Sequence, residues 1–325
     1  MAFEGRSRLF RRWCPPRKGA FGKIKLPELP LILAGALGGP FCIFVLTPLR
    51  NALTLASQDA VSSPMELYAS TFQGGFASGW TGGFAPVLPS CPQFCMMGPL
   101  FHFLRETWGS VALAVLASSC METFISYGSQ TLNAQMAFNS EVQQSGTGAE
   151  VPLWNPLIPL GPGVAVHVVR NVVALSGIRI FSGPCQKVLK RLTQSFNVEL
   201  PLGLQRFLSD FVASIGAAII SAPLNQCYNF AVTSAAYMEG GAPARVRALA
   251  GFLSRNYLLH GPAGEVLGLS PTLARDLFMR CAYVATLFTL FGAIERAAVA
   301  VWKYRDAQQQ PVLSRRGTVG VRASS

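Results

Sequence analysis

Charged side chains are scarce in this sequence, and acidic ones are the scarcest. Only 13% of the 325 residues are charged, whereas a typical soluble domain has about 25%. Half of the residues are hydrophobic, and 27 lysines and arginines outnumber 15 acidic residues, so the formal net charge is +12. Several apolar stretches of ~20 residues are long enough to cross a hydrocarbon layer of about 30 Å. The sequence therefore predicts an integral membrane protein rather than a soluble globular domain.

Residues that catalytic and metal sites commonly use are also few. The eight cysteines form no paired CxxC array. Cys91 and Cys95 share a helix face without further ligands nearby, so free thiols are expected. No Walker-type loop is present, because Gly161-Pro-Gly163 lacks the lysine that would hold a phosphate. We therefore predict no enzyme, no metal and no cofactor. The three histidines are dispersed along the chain: His102, His167 and His260.

Apolar runs and their Gly and Pro punctuation predict six membrane helices. The loops after the second and fourth helices are short, and the other three are long. Short amphipathic segments are expected in two long loops, at 65–78 and 245–258, and 139–162 is expected to be irregular. All five tryptophans fall at helix ends or in loops, as in an aromatic belt. The predicted helices are 29–58, 84–108, 109–138, 163–192, 202–235 and 271–303.

An internal repeat connects the odd helices. Small residues cluster at 35–39 in the first helix, at 117–119 in the third and at 213–217 in the fifth. About ten residues further on, each helix has a residue that permits a bend. Small residues allow close helix packing in membranes, and Pro or Gly permits a kink. The predicted kinks are at Pro48, Gly128 and Pro223.

The second, fourth and sixth predicted helices share a sequence pattern of their own. A glycine opens each of them, at Gly83, Gly163 and Gly268. Seven residues later the sequence has Ser90, Arg170 and Arg275 at matching positions. The recurrence predicts three related helix pairs.

This pattern resembles the mitochondrial carrier family, whose members have three repeats of two membrane helices with a short amphipathic helix between them. The resemblance covers 29–304 and implies an all-α membrane protein of six helices in three pseudo-threefold repeats. It divides the chain into a basic N-terminal arm, 1–28, a membrane domain with repeats at about 29–108, 109–192 and 202–304, and a polar basic tail, 305–325.

The family's gates are missing from this sequence. In the family, each odd helix carries a Pro-x-acid-x-x-base signature, and these residues form a ring of salt bridges that closes the matrix side. No acid–base pair remains here, and the family's second gate is also absent. Alternating access needs two gates, so the resemblance implies a bundle that does not transport in the usual way. The acid positions hold Arg50, Gln130 and Asn225, and the base positions hold Leu53, Asn133 and Tyr228.

Charged residues inside the predicted helices are the candidates for a site, since a charge in a membrane is costly. Arg170 and Arg275 suit a carboxylate or a phosphate, with Ser90 as the third equivalent position. Alternatively, each arginine caps helix carbonyls or binds a lipid headgroup. Glu122, in an apolar run, is expected to pair with Arg50 or Arg170, or to be a protonatable site.

Basic residues concentrate on one side of the predicted bundle. The two tails and the two short loops hold 18 of the 27 lysines and arginines. With a membrane body attached, such a face is expected to bind anionic lipids such as cardiolipin, or an acidic neighbouring subunit, rather than nucleic acid. The arm also resembles a mitochondrial presequence in being rich in Arg and poor in acid.

Two functions follow from these features, both in the mitochondrial inner membrane. The first is a structural or accessory subunit of a respiratory-chain or ATP synthase assembly. The second is a divergent transporter of a small anionic solute, with Arg170 and Arg275 as its ligands. A protein of the outer membrane concerned with membrane shape or insertion is a third possibility.

Overall fold

The computed structural model describes residues 29–146, 148–197 and 199–317, which are mostly helical. The N-terminal arm and the end of the C-terminal tail lie outside the described residues. A 3₁₀ helix (Phe76–Trp80), a π-helix (Gly177–Phe181) and two short strands, β1 (Leu258–His260) and β2 (Val266–Leu269), interrupt the α-helices. The α-helices are α1 (Leu29–Val45), α2 (Thr47–Leu55), α3 (Pro64–Ser70), α4 (Phe84–Trp108), α5 (Val111–Ser145), α6 (Val164–Ser176), α7 (Ser182–Ser195), α8 (Leu202–Thr233), α9 (Ala235–Glu239), α10 (Ala242–Tyr257) and α11 (Pro271–Gly317).

Among the described residues, four helical segments are long and apolar enough to span a membrane. They are Val111–Ser145, Val164–Ser195, Leu202–Thr233 and Pro271–Trp302. The bent pair α1–α2 makes a fifth if it counts as one span. The chain is therefore a multi-pass helical membrane protein. The predicted second span, α4, does not meet this test, because prolines and polar side chains lower its hydropathy.

The break between α1 and α2 lies at Leu46, where the chain bends by 52°. Pro48 stands in the first turn of α2, a position that tolerates proline because its missing N–H has no partner there in any case. The bend thus falls next to a predicted kink. By contrast, α5 continues through Gly128 and α8 continues through Pro223 without a break.

Small residues bring the helices into close contact, as the repeat suggested. A Cβ on Gly35 would lie 2.8 Å from the backbone nitrogen of Cys95, so α1 and α4 pack backbone to backbone there. A Cβ on Gly39 would lie 2.6 Å from the ring of Phe94. Gly128 allows a loop to approach α5 in the same way, since a Cβ on it would lie 2.9 Å from the carbonyl oxygen of Ile158. These contacts explain why the clusters are built from glycine and alanine.

The interior of the bundle holds many polar side chains beside its apolar clusters, whereas its outer surface exposes apolar side chains. Asn51, Asn133, Gln135, His167 and Asn225 are all buried, while large apolar side chains are exposed on several spans, among them Leu37, Phe124, Ile220 and Phe278. Lipid would cover such an outer surface, and buried polar groups in a membrane bundle face its interior.

Several elements differ from the sequence prediction. Helix α11 runs on to Gly317, because the residues after the predicted end at 303 include good helix formers such as Ala and Gln. Helix α5 extends to Ser145, so the stretch expected to be irregular begins as a helix. The antiparallel pair β1–β2 was not predicted. The amphipathic segment at 245–258 matches α10 closely.

Candidate functional site

A small cavity lies at the centre of the bundle, and its volume is about 70 Å³. A buried water needs ~10–15 Å³ by this measure, so the cavity accommodates a few waters. Pockets for drug-sized ligands are far larger, at about 300–1,000 Å³. The polar and aromatic side chains that line the cavity come from α2, α4, α5, α6, α8 and α11: Arg50, Gln93, Glu122, Gln130, Arg170, Asn171, Asn225, Tyr228, Asn229, Arg280 and Tyr283.

Arg170 is the centre of a hydrogen-bond network that connects three helices. Its Nη2 donates to Oε1 of Gln130 at 3.0 Å, and its Nη1 donates to Oδ1 of Asn225 at 3.3 Å. Its Nε and Nη2 also donate to Oδ1 of Asn171, at 3.2 and 3.0 Å. The guanidinium lies over the ring of Tyr228, 4.9 Å from its centroid. Neutral groups thus surround this buried cation, and they join α5, α6 and α8.

His167 belongs to the same network, which the sequence analysis did not foresee. Its Nε2 lies 3.2 Å from Oε1 of Gln130, and its Nδ1 lies 3.2 Å from Oγ1 of Thr123. Asn171 Nδ2 donates to the same Thr123 oxygen at 3.1 Å. The spacing of His167, Arg170 and Asn171 puts all three on one face of α6. This spacing of polar residues along one helix face is the feature of the sequence from which the network could have been predicted.

Glu122 contacts an amide rather than an arginine. Its Oε1 accepts a hydrogen bond from Nε2 of Gln93 at 2.8 Å. The described residues contain two ion pairs, Arg275–Asp276 and Arg296–Asp210, and neither involves Glu122. The expected ion pair with Arg50 or Arg170 is therefore wrong. Gln93 on α4 competes successfully because it reaches the carboxylate directly across the interface between α4 and α5.

Two further arginines give the cavity an excess of positive charge. Arg50 Nη2 lies 3.4 Å from the carbonyl oxygen of Gln130. Arg280 Nε lies 3.4 Å from Oγ of Ser221, and its guanidinium lies 5.7 Å from the ring centroid of Tyr283. With Arg170, three arginines and one glutamate line the cavity. This combination favours an anion over a cation or a neutral solute.

On the side of the cavity that faces the long loops, hydrogen bonds between uncharged groups connect α2, α5 and α8. The six residues that the resemblance assigns to the first gate lie in this region. Five of them line the cavity, and Asn133 lies beside it. The bonds join Asn133 Nδ2 to Asn51 Oδ1 at 3.2 Å, Thr131 Oγ1 to the Tyr228 hydroxyl at 2.9 Å, Gln135 Nε2 to the Val232 carbonyl at 3.0 Å, Asn229 Nδ2 to the Leu53 carbonyl at 3.0 Å, and Gln58 Nε2 to Thr233 Oγ1 at 2.6 Å.

The opposite end of the cavity is apolar. Phe94 and Phe288 line it, and the ring of Phe94 lies 4.7 Å from that of Phe291. The resemblance implies a second gate, made of acidic and basic residues on the second helix of each pair. In the last pair its acid position is held by Phe288 and its base position by Phe291. In their place, apolar contacts hold α4 against α11.

Of the three positions predicted to contact a substrate, only Arg170 lines the cavity. Arg275 Nη2 donates to the carbonyl of Ala56 at 2.8 Å, and Nη1 donates to those of Asp59 at 2.7 Å and Ser62 at 3.1 Å. It therefore caps the C-terminal end of α2, which was the alternative structural role. Ser90 Oγ donates to the carbonyl of Val87 in its own helix at 2.6 Å.

These features define the chain as a multi-pass helical membrane protein with a polar, arginine-rich centre. The sequence matches no known protein-family model and no curated protein.

Proposed function

We propose that this protein is a mitochondrial carrier-like bundle that serves as a structural or accessory subunit of a large inner-membrane assembly and does not transport solutes. The bundle would have six spans: α1–α2, α4, α5, α6–α7, α8 and α11. The observation that carries the proposal is the network of neutral hydrogen bonds at the gate positions, on the long-loop side of the cavity. Support for the three pairs comes from Arg50, Gln130 and Asn225, which occupy matching repeat positions and all line one cavity.

The neutral network argues against a transport cycle. Alternating access requires two gates that open and close in turn around a central site. Here five hydrogen bonds hold the long-loop side, four between helices and one from the turn after α2, each contributing ~0.6–2 kcal/mol in a membrane bundle. The apolar end of the cavity offers no ionic contacts to replace them when they break. A cavity of about 70 Å³ is also far smaller than the ~300–1,000 Å³ of typical ligand pockets.

The charge distribution supports a role in an assembly. The side that carries both tails is strongly basic, and few acidic residues neutralise it within the chain. Acidic neighbouring subunits or anionic lipids such as cardiolipin would supply the missing charge.

Purification of the full-length chain from its native membranes in a mild detergent tests this proposal. We expect respiratory-chain or ATP synthase subunits to co-purify at a fixed stoichiometry. A chain recovered only as a free monomer would contradict the proposal. Fractionation of inner and outer mitochondrial membranes tests the location in parallel, and recovery in the outer membrane would contradict that part.

The alternative function is transport of a small anionic metabolite, and the three arginines in the cavity favour it. Arg170 would be the principal ligand, because Arg275 is occupied by three backbone carbonyls. Under this alternative, reconstituted liposomes take up an anion, and Arg170→Ala abolishes the uptake.

A further inference from the structure

The helix α7 carries an apolar stripe that no part of the chain covers. Val188, Leu192 and Phe196 are spaced four residues apart and are exposed by 55%, 51% and 75%. No residue of α7 is buried. Leu202 and Leu204, at the start of α8, are exposed by 60% and 43%. We call α7 and the first turn of α8, residues 182–197 and 199–206, the tail-side hairpin.

The helical segment that carries this stripe is longer than a hydrocarbon core requires. The span Val164–Ser195 has 32 residues, which gives a length of about 48 Å at ~1.5 Å per residue. A hydrocarbon core of ~30 Å needs only about 20 of them. Trp108, at the end of α4, lies 25 residues after Gly83, and Val188 lies 25 residues after Gly163. If Trp108 marks the membrane surface, then Leu192 and Phe196 lie outside it.

Positive charge flanks the stripe. Lys187 and Arg191 are exposed on the adjoining face of α7, with Lys190 and Arg206 nearby. None of these four makes an ion pair or a side-chain hydrogen bond within the part of the chain that the structure describes. The sequence of α7 has no acidic residue, and Glu199 is the only one in the hairpin.

We propose that the tail-side hairpin docks an acidic amphipathic helix of a neighbouring subunit. An apolar stripe of four-residue spacing matches the stripe of a second helix, and the flanking lysines and arginines select acidic side chains beside it. A second copy of this chain would bring like charge to the same face. The chain's own N-terminal arm, with eight basic residues and one acidic residue in 1–26, is excluded for the same reason.

This inference rests on the proposed function, because a subunit of an assembly needs a docking surface. The test places a photoreactive amino acid at position 192 of the full-length chain in native membranes. Position 88 serves as the control, since Leu88 is 80% exposed on α4 away from the hairpin. We expect position 192 to crosslink to a protein segment rich in Asp and Glu, and position 88 to give no such adduct.

Charge reversal then tests the recognition itself. In Lys187→Glu/Arg191→Glu, we expect the protein adduct at position 192 to fall about tenfold or more. The matched control, Arg247→Glu/Arg255→Glu, reverses two exposed charges on α10 and should leave the adduct unchanged.

The other possible crosslinking results would each overturn either the docking site or the proposed function. Crosslinks from position 192 to lipid only, to a second copy or to a segment without acidic residues would overturn the docking site. An adduct that survives charge reversal would overturn it as well. If the chain stays in a large complex in any of these cases, the proposed function stands and only the docking site fails. A wild-type chain that purifies as a free monomer contradicts the proposed function itself.

Discussion

Arg170 donates a hydrogen bond through Nη2 to Oε1 of Gln130, 3.0 Å away. Gln130 stands where the resemblance to the carrier family implies an acidic residue. The amide of Gln130 also lies 3.2 Å from Nε2 of His167. One neutral side chain thus serves two buried polar groups at the centre of the bundle. An acid at this position would pair with a base on another helix and could release it. The amide is uncharged, so its hydrogen bonds to Arg170 and His167 do not depend on an ion pair that forms and breaks.

Gln130 should therefore contribute strongly to stability. Gln130→Leu keeps most of the volume but removes the acceptor, leaving Arg170 and His167 short of a partner, which costs about 1–3 kcal/mol of unfolding free energy. Thermal unfolding of the purified chain in detergent measures the loss. Gln143→Leu is the control on the same helix, because Gln143 is exposed and bonds only to Glu150. Equal melting temperatures for the two variants would contradict the role of Gln130.

Arg275 should behave as a structural residue. Arg275→Lys replaces a five-donor fork with a single ammonium, which cannot serve three carbonyls and Asp276 together. The loss of charge-assisted hydrogen bonds should cost about 1.5–3 kcal/mol, seen as a lower melting temperature. Arg247→Lys, at an exposed position on α10, should change nothing. If Arg275→Lys keeps full stability, the capping role is wrong.

Glycine at position 35 should be essential for close packing. Gly35→Ala places a Cβ against the backbone of Cys95 on α4, and overpacking of this kind costs about 1–3 kcal/mol. Nothing lies within 4 Å of a Cβ on Gly216 in α8, so Gly216→Ala should gain up to about 1 kcal/mol from helix propensity. Opposite shifts in melting temperature are expected. A gain in both variants would show that α1 and α4 do not approach as described.

Glu122 should tolerate the loss of its charge. Glu122→Gln keeps an oxygen that accepts from Gln93, so we expect stability within about 1 kcal/mol of wild type. Asp276→Asn provides the contrast, because it breaks a buried ion pair with Arg275 at 2.9 Å, at a cost of about 3–5 kcal/mol. A loss of similar size in Glu122→Gln would indicate an ion pair with an arginine after all.

The sequence predicted the helical membrane fold because apolar length and Gly/Pro punctuation are local signals. The small-residue clusters also predicted close packing, as Gly35 and Gly39 demonstrate. The partners of buried polar groups could not be predicted in this way. Arg170 and Arg275 each lie seven residues after a glycine, yet one lines the cavity and the other caps α2. Only the surroundings of each residue separate the two roles, and those come from distant parts of the chain.

The π-helix at Gly177–Phe181 is another feature that depends on distant parts of the chain and could not be predicted from local sequence. Apolar periodicity predicted one continuous helix over this region. A Cβ on Gly177 would lie 3.3 Å from the carbonyl oxygen of Ala213, so this part of the helix is pressed against α8. Such insertions depend on the neighbouring helix, and a single-helix pattern carries no sign of them.

Uptake by reconstituted liposomes tests most directly whether the bundle transports. Liposomes that contain the wild-type chain should exchange no member of a panel of carboxylates, phosphates and nucleotides faster than protein-free liposomes, with Arg170→Ala giving the same background. Saturable uptake of any anion by the wild-type chain, abolished in Arg170→Ala at unchanged folded yield, would contradict the non-transporting role.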